Sequence, residues 1–262
     1  MAALPRGRPL CRGYRALRLL RRGHALDVYD AWSEERGCRC IAKAVRSDLL
    51  RDRETRLSLF LEARLLLRLS HPHLVRAYEL VRGPRPTLVL ETLTGATLSR
   101  LISDHPRGLP ARDVMFLGLH LASALGYLHA TGYLHLDVKP SNVVSQAGTA
   151  KLIDLSLADR IGRRLPGVGT PGYMSPEQIE GRPLTAATDV WGLGCVLYDA
   201  ARGRPAFPDA AQKRPARTRA GPLSSYRRLP AAAAAIIDAC LHPDPAARPT
   251  MHDLSETLRA VV

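Results

Sequence analysis

The stretch HLDVKPSN, residues 135–142, is the most informative part of this 262-residue sequence. It places the carboxylate of Asp137 two residues before Lys139 and five residues before Asn142. A carboxylate can accept a hydroxyl proton, a lysine can neutralise a moving phosphoryl group, and an amide oxygen can bind a metal ion. Asp154 ends the strand-like segment KLID, residues 151–154, and has the ligand chemistry that Mg²⁺ prefers. These residues together indicate phosphoryl transfer, whereas the first stretch taken alone also fits a solvated polar turn.

Outward from this stretch, the hydrophobic pattern divides the chain into two regions. Up to residue 93, short apolar runs predict strands at residues 14–20, 28–32, 38–45, 74–80 and 86–90. A leucine at every fourth position predicts one helix among them, at residues 53–69. Later periodicity predicts helices at residues 114–130, 187–201, 231–240 and 251–261. We therefore expect an α+β protein with a basic tail (residues 1–13), a small strand-rich lobe (14–93) and a larger helical lobe (94–262).

Several further motifs occur in a fixed order along the chain. They are CIAK at residues 40–43, GTPGYMSPE at 169–177, DVWGLG at 189–194 and HPDPAARP at 242–249. Together with residues 135–142 they resemble the signature set of bacterial eukaryotic-like (Hanks-type) serine/threonine protein kinase domains. The resemblance extends from about residue 14 to residue 262. It implies a bilobal protein-kinase-like fold with a small antiparallel-sheet N-lobe containing one helix and a larger, mainly helical C-lobe.

The resemblance also implies a role for individual residues in ATP binding and catalysis. Asp137 is expected to accept the substrate proton, with Lys139 beside it, and Lys43 to contact the ATP phosphates while paired with Glu62. Asn142 and Asp154 are expected to bind Mg²⁺, with Mn²⁺ as a second candidate. The expected nucleotide-binding residues are Gly23, Val28, Ala42, Lys43, Leu90, Glu91 and Leu93.

A second group of residues is implied to bind substrate or to support the structure. Thr170, Pro171 and Gly172 belong to the expected substrate loop, which favours a protein substrate phosphorylated on Ser or Thr. The expected structural residues are His135, Glu177, Asp189 and Arg248, of which Glu177 and Arg248 form a pair and Asp189 braces the catalytic loop.

The sequence departs from the family pattern in four places. Residues 21–28 retain only Gly23 of the glycine-rich loop, so Arg21 and Arg22 are the candidates for a compensating charge. Leu136 replaces the arginine that precedes the catalytic aspartate, and residues 157–169 contain no Ser, Thr or Tyr. We therefore expect no control by activation-loop phosphorylation. Leu155 and Ser156 replace the usual Phe-Gly after Asp154, and the serine is expected to restrict the backbone.

Two alternatives to an active protein kinase remain open. A pseudokinase that binds nucleotide or a partner as a scaffold is suggested by the degenerate glycine-rich loop. A small-molecule phosphotransferase of related fold would share the Asp137 chemistry, but such enzymes usually lack the segment from Thr170 to Glu177 that docks a polypeptide.

Composition and charge limit the remaining classes. A hydrophobic content of 46% and a charged content of 24% exclude full-length disorder. The net charge of +14 lies in two segments, residues 1–22 and 202–228, for which we expect an acidic protein partner. A nucleic-acid partner is disfavoured, because arginine-rich composition also follows from GC-rich codon usage.

The compartment is predicted from the cysteines and from the absence of targeting signals. The five cysteines are scattered and form no metal-binding pattern, which favours a reducing, cytoplasmic compartment. Residues 1–13 lack the apolar segment of a signal peptide. Residues 114–136 carry no Asp, Glu, Lys or Arg, but three histidines, three glycines and a 3.6-residue leucine period indicate a buried core helix, so no membrane association is expected.

Overall fold

The computed structural model describes residues 4–207 and 220–262 and divides into two compact units. Unit 1 comprises residues 1–71, 75–94 and 154–156, and unit 2 comprises residues 72–74, 95–153 and 157–262. The division after residue 94 lies one residue from the predicted boundary. The segment 72–74 belongs to unit 2 because Leu74 forms a parallel bridge with Leu152, and the backbone N–H of Leu152 donates to the carbonyl of His73 at 2.8 Å.

Unit 1 contains a six-stranded antiparallel sheet and one helix. The strands are β1 (Pro9–Cys11), β2 (Tyr14–Arg22), β3 (Leu26–Ser33), β4 (Cys38–Val45), β5 (Ala77–Val81) and β6 (Thr87–Leu90), in the order β1-β2-β3-β4-β6-β5. Helix α1 (Arg53–Leu66) begins at Asp52, whose carboxylate accepts the backbone N–H of Thr55 at 2.7 Å. Residues 9–11, which the sequence analysis assigns to an N-terminal tail, are therefore paired as an edge strand.

The two faces of this sheet carry different side chains, and only one of them forms the core around Tyr29. One face forms a buried core from alternate residues of β2, β3 and β4, which include Ala16, Tyr29, Ala31, Cys40, Ala42 and Ala44. Because side chains alternate along a strand, Val28, Ile41 and Lys43 lie on the opposite face, here called the Lys43 face. Directly paired residues of neighbouring strands lie on the same face of a sheet. The pair Val28–Lys43 agrees with this assignment, and the pair Ile41–Leu90 adds Leu90 to the Lys43 face.

Unit 2 contains six α-helices, three short 3₁₀-helices and two small sheets among its described residues. The helices are α2 (Leu98–Asp104), α3 (Ala111–Ala130), α4 (Pro176–Glu180), α5 (Ala186–Arg202), α6 (Ala231–Cys240) and α7 (Met251–Arg259). The strands are β7 (Ala96–Thr97), β8 (Tyr133–Leu134), β9 (Val143–Gln146), β10 (Thr149–Leu152) and β11 (Asp159–Arg160). They form the antiparallel sheets β10-β9-β7 and β11-β8.

Helices α3 and α5 form the centre of unit 2. Leu121, Leu125 and Leu128 of α3 are fully buried, as their 3.6-residue period predicts, and the helix is followed by Gly132 with φ +84°. Helix α5 is buried from Thr188 to Ala201, with Trp191 stacked on Phe207 at 5.2 Å between ring centroids. Among the described residues, no helix is both long enough and apolar enough to cross a membrane.

Candidate active site

Unit 1 brings Lys43, Glu62 and Asp154 together. Lys43 lies on β4, and its Nζ donates to Glu62 Oε1 at 2.6 Å and lies 3.1 Å from Asp154 Oδ1. Glu62 is fully buried on α1 and also accepts the backbone N–H of Leu155 at 3.2 Å. Burial alone would lower the pKa of Lys43, but the two carboxylates outweigh it and raise that pKa. Lys43 is therefore a fixed ammonium between two carboxylates.

The backbone at Asp154 is in the left-handed region, with φ +71°. Aspartate tolerates this region better than most residues do, and Asp154 Oδ1 accepts the backbone N–H of Ser156 at 3.3 Å. Burial opposes ionisation of Asp154, but Lys43 and the Ser156 hydrogen bond hold its pKa well below the usual range. Apart from glycines, only three described residues have positive φ and Ser156 is not one of them, so serine fits where the family has glycine.

The predicted nucleotide-binding residues of unit 1 divide between the two sheet faces. Val28 and Leu90 lie on the Lys43 face. Ala42 is fully buried in the core on the other face, so the expectation that Ala42 belongs to the nucleotide-binding residues is corrected. Ile41, two residues before Lys43, lies on the Lys43 face instead.

The remaining predicted nucleotide-binding residues lie in two loops of unit 1. The backbone N–H of Glu91 donates to the carbonyl of Arg76 at 2.9 Å, and Glu91 Oε1 accepts the backbone N–H of Arg76 at 2.8 Å. These two hydrogen bonds fix the start of the segment that contains Leu93, which is half-buried. Gly23 lies in the turn between β2 and β3, where its N–H donates to the carbonyl of Leu26 at 2.8 Å.

Unit 2 assembles the catalytic-loop residues around Asp137. Asp137 Oδ1 accepts the hydroxyl of Thr170 at 2.6 Å, and Oδ2 accepts Asn142 Nδ2 at 3.1 Å and pairs with Lys139 Nζ at 2.6 Å. Lys139 Nζ also donates to Thr170 Oγ1 at 2.6 Å. Four polar groups thus converge in one cluster, as the motif spacing predicts for three of them, and Asp137 and Asn142 are buried in it.

Asp189 holds the backbone of this loop. Its carboxylate accepts the backbone N–H groups of His135 and Leu136 at 2.8 and 2.9 Å, and His129 Nε2 lies 2.8 Å away. Burial opposes the charge of Asp189, but His129 and the amide hydrogen bonds lower its pKa. Leu136 has φ +65°, which is strained for a leucine, and the two amide hydrogen bonds stabilise this conformation. His135 Nδ1 in turn accepts the N–H of Asp137 at 3.2 Å.

Leu136 fits an apolar environment where the family has arginine. Its side chain is buried in a cluster with Leu134 and Leu184, and Leu165 packs against that cluster. The neighbouring backbone is also held, because Gln178 Nε2 donates to the carbonyls of Leu136 and Val168 at 2.9 and 2.8 Å. We call Leu134, Leu136, Leu165 and Leu184 the leucine cluster.

Glu177 and Arg248 form the predicted buried pair. Arg248 donates from its two terminal nitrogens to the two oxygens of Glu177 at 2.7 and 2.9 Å, and the hydroxyl of Thr188 donates to Glu177 at 3.1 Å. The guanidinium also lies over the ring of Trp191. Burial opposes the charge of Glu177, but Arg248 keeps its pKa below the usual range.

The expected substrate loop is anchored by a contact that the motifs do not predict. Next to Thr170, Pro171 and Gly172, the hydroxyl of Tyr173 donates to Asp199 Oδ2 at 2.8 Å, and the N–H of Ala206 donates to Oδ1 at 2.7 Å. Burial raises the pKa of Asp199 to about 7, although both hydrogen bonds oppose the rise. An acidic residue inside the apolar pattern of residues 187–201 is the sequence signal for this site.

Comparison with known proteins agrees with this geometry. Residues 14–258 match the family model of the protein kinase domain. The chain is 32% identical over 236 residues to the serine/threonine-protein kinase PkaA of Streptomyces coelicolor, covering 84% of this chain and 42% of that protein. It is 35% identical over 178 residues to the serine/threonine-protein kinase PknB of Mycobacterium leprae, covering 63% of this chain and 28% of that protein. The chain thus spans less than half the length of these curated relatives.

A solved structure with the same fold is that of a point mutant of the PknI kinase domain of Mycobacterium tuberculosis. The TM-score is 0.78 with 22% sequence identity, and the alignment covers 99% of both chains. This similarity confirms the expected kinase fold, with an antiparallel-sheet N-lobe and a mainly helical C-lobe. With the family match, it shows that this chain belongs to the protein kinase domain family.

Proposed function

We propose that this chain is an ATP-dependent serine/threonine protein kinase domain, which transfers the γ-phosphoryl group of ATP to Ser or Thr hydroxyls of protein substrates. The observation that carries the proposal is the intact Asp137 cluster with Lys139, Asn142 and Thr170. Loss of Asp137 would remove the proton acceptor, and loss of Lys139 would remove the positive charge beside it. Both residues are present in this chain.

Each residue has a defined part in the proposed reaction. Asp137 accepts the proton of the substrate hydroxyl, whose oxygen forms a bond to the γ-phosphorus while the bond from that phosphorus to the β–γ bridging oxygen breaks and ADP leaves. The hydrogen bond from Thr170 supports this assignment, because a hydroxyl already donates to Asp137 Oδ1. Lys139 offsets charge on the transferred group, and Lys43, held by Glu62, orients the ATP phosphates.

The residues present suit a divalent metal ion. Asp154 offers a carboxylate that is held ionised. Asn142 uses its Nδ2 for hydrogen bonds to the carbonyl and carboxylate of Asp137, so its remaining side-chain ligand atom is an oxygen. Hard oxygen ligands of this kind suit Mg²⁺, with Mn²⁺ as a second candidate. When bound, the metal would supply charge neutralisation of the phosphates.

We also propose that activity is independent of activation-loop phosphorylation. The leucine cluster supports this, because Leu165 of the segment 157–169 packs against the cluster that contains buried Leu136. Backbone hydrogen bonds reinforce the contact, since Gly162 donates to the carbonyl of Leu184 at 2.8 Å and Leu184 donates to that of Arg163 at 2.9 Å. Burial of the leucine cluster thus orders the segment 157–169, whereas Arg–phosphate pairs order the activation loops of other kinases.

A second candidate function is a pseudokinase that acts as a nucleotide- or partner-binding scaffold. One observation favours it, the presence of Arg21 and Leu26 at positions where the family has glycine. The intact Lys43, Asp137 and Asp154 favour the active kinase.

The partner and the compartment are further proposals. The substrate is a protein, and an acidic protein partner is proposed for residues 1–22 and 202–228, of which residues 1–3 and 208–219 lie outside the described residues. Within the described part, Arg15 pairs with Glu34 and Arg22 with Asp27. Arg202 lies over the ring of Tyr226, and Arg227 donates to the carbonyls of Arg107 and Leu109. The proposal therefore rests on the remaining basic side chains. The test is partner binding at low and physiological ionic strength, where insensitivity to salt would exclude an electrostatic interface. We propose a reducing, cytoplasmic location because all five cysteines are free thiols.

The test of the proposed function is phosphoamino-acid analysis after incubation with γ-labelled ATP, Mg²⁺ and an acceptor protein. We expect label on serine and threonine but not on tyrosine. The Lys43→Met variant should lose the label, and Lys151→Met, which changes a lysine in unit 2, should keep it. Label on tyrosine alone, or equal label with Lys43→Met, would contradict the proposal.

A further inference from the structure

The strand register places Arg21 in line with the ATP-binding lysine of the proposed site. Arg21 on β2 pairs directly with Val28 on β3, and Val28 pairs directly with Lys43 on β4. Directly paired residues project to the same side of a sheet, so all three lie on the Lys43 face. Because neighbouring strands are about 4.8 Å apart, the Cα atoms of Arg21 and Lys43 are separated by roughly 10 Å.

The adjacent arginine is engaged elsewhere. Arg22 pairs with Asp27, on the core face of the sheet, and donates to its two carboxylate oxygens at 2.9 and 3.1 Å. Asp27 is fully buried and also accepts Arg85 at 3.0 Å. The charge of Arg22 is therefore used to compensate a buried carboxylate. Arg21 is exposed and, within the described part of the chain, has no ion-pair partner.

The turn that follows Arg21 and Arg22 is fixed by Arg46. The guanidinium of Arg46 donates to the carbonyls of Gly23 and His24 at 3.2 and 3.1 Å, and its backbone N–H donates to the carbonyl of Ala25 at 3.1 Å. Arg46 thus holds all three residues between β2 and β3. A side chain next to such a turn projects from a defined backbone, which limits the entropy lost when it binds a ligand.

We propose that Arg21 binds the phosphates of the nucleotide and replaces the backbone contacts of the missing loop glycine. A guanidinium offers paired N–H donors that match phosphate oxygens, whereas a side chain at a glycine position obstructs close approach of the backbone. The inference rests on the proposed function, since it requires that Lys43 and Arg21 face the same nucleotide. It assigns the compensating charge to Arg21, whereas the sequence alone leaves Arg21 and Arg22 as equal candidates for it.

The test is calorimetric binding of ATP, ADP and adenosine to the purified full chain, with Mg²⁺ present. We expect Arg21→Ala and Arg21→Gly to weaken ATP binding about tenfold, as for loss of one charge-assisted contact, and to leave adenosine binding within about twofold of wild type. Arg21→Lys should lose less than either. Arg15→Ala is the matched control, because it removes the same charge from an exposed arginine of the same strand and should change none of the three affinities.

Two kinds of result would overturn the inference. ATP affinity within about twofold of wild type in Arg21→Ala, or tighter binding in Arg21→Gly, would show that the guanidinium does not contact phosphate. An equal loss for adenosine would show a structural effect. If wild type binds ATP and transfers phosphate while Arg21→Ala is unaffected, only this inference fails; if wild type binds no ATP, the proposed function fails as well.

Discussion

The hydroxyl of Thr170 donates to Asp137 at 2.6 Å and is itself 2.6 Å from Lys139 Nζ. Within unit 2, these contacts join the proposed substrate loop to the proposed catalytic loop. Removing the hydroxyl should leave one oxygen of Asp137 without its partner while Lys139 still pairs with the other.

We therefore predict that Thr170→Val lowers kcat by about tenfold or more, with a smaller effect on KM for ATP, because one hydrogen bond to a charged group is lost. Thr170→Ser keeps the hydroxyl and should retain most of the activity. Steady-state kinetics of both variants provide the measurement. Equal activity of the valine and wild-type proteins would show that the Thr170 contact has no part in catalysis.

The leucine cluster should contribute to stability and not to phosphorylation control. Leu136→Ala removes a buried side chain that packs with Leu134 and Leu184, so we expect a loss of about 2–5 kcal/mol in the free energy of unfolding. Urea denaturation is the measurement, with the exposed Leu57→Ala as control. A difference below about 1 kcal/mol between the two variants would contradict the packing account.

Phosphopeptide mapping tests the regulatory part of the same proposal. Activity should not depend on any modified residue between Asp154 and Glu177. A phosphorylated site in this segment whose removal lowers activity would exclude the proposed independence.

Asp199 should make stability depend on pH near neutrality. Its folded-state pKa of about 7 lies above the usual carboxylate value because of burial. Between these two values the folded protein holds a proton that the unfolded chain releases, so this group stabilises most at acidic pH and its contribution is lost as pH rises to 7. From pH 5 to pH 7 the loss should be about 2 kcal/mol.

The comparison of wild type with Asp199→Asn isolates this contribution. The asparagine keeps an acceptor for Tyr173 but does not titrate, so the unfolding free energy of the variant should fall less over the same pH range. Parallel pH profiles of the two proteins would show that Asp199 does not titrate in this window.

Removal of only one partner of the Glu177–Arg248 pair should lower the free energy of unfolding strongly. Arg248→Met leaves a buried carboxylate unpaired, so we expect a loss of about 3–5 kcal/mol in unfolding free energy. The double variant Glu177→Gln/Arg248→Met removes both charges, so it should recover part of the lost unfolding free energy. Thermal or urea unfolding of the three proteins is the measurement, and a double variant no more stable than Arg248→Met would contradict a charge-based loss.

Most of the fold follows from patterns that reflect burial. The leucine period of α3 predicted a core helix, because one face of this helix is buried. The apolar runs at 38–45 and 86–90 predicted β4 and β6, because most residues of these strands are buried. Short elements such as β8, β11 and α4 were missed, since two to five residues carry no detectable period. Strand β5 begins at Ala77, three residues later than predicted, because Leu74 pairs with Leu152 in unit 2.

The sequence indicated which polar residues lie together where those residues are close in the chain. Asp137, Lys139 and Asn142 lie in one loop, so motif spacing was sufficient. Ala42 was chosen without regard to strand alternation, and counting two residues back from Lys43 would have selected Ile41. The acidic residue in the apolar pattern of residues 187–201 is a sequence signal for Asp199, but its contact with Tyr173 depends on tertiary packing, as does the left-handed backbone of Leu136.

The most direct measurement for the proposed kinase is the rate of labelled phosphate transfer from ATP by wild type and by Asp137→Asn, with ATP affinity measured on the same samples. We expect Asp137→Asn to bind ATP within about twofold of wild type and to transfer phosphate at least about a hundredfold more slowly, because the proton acceptor is lost. Asp104→Asn, an exposed surface change, should behave as wild type. Equal transfer rates for wild type and Asp137→Asn, or no transfer by wild type despite ATP binding, would contradict the proposed kinase activity.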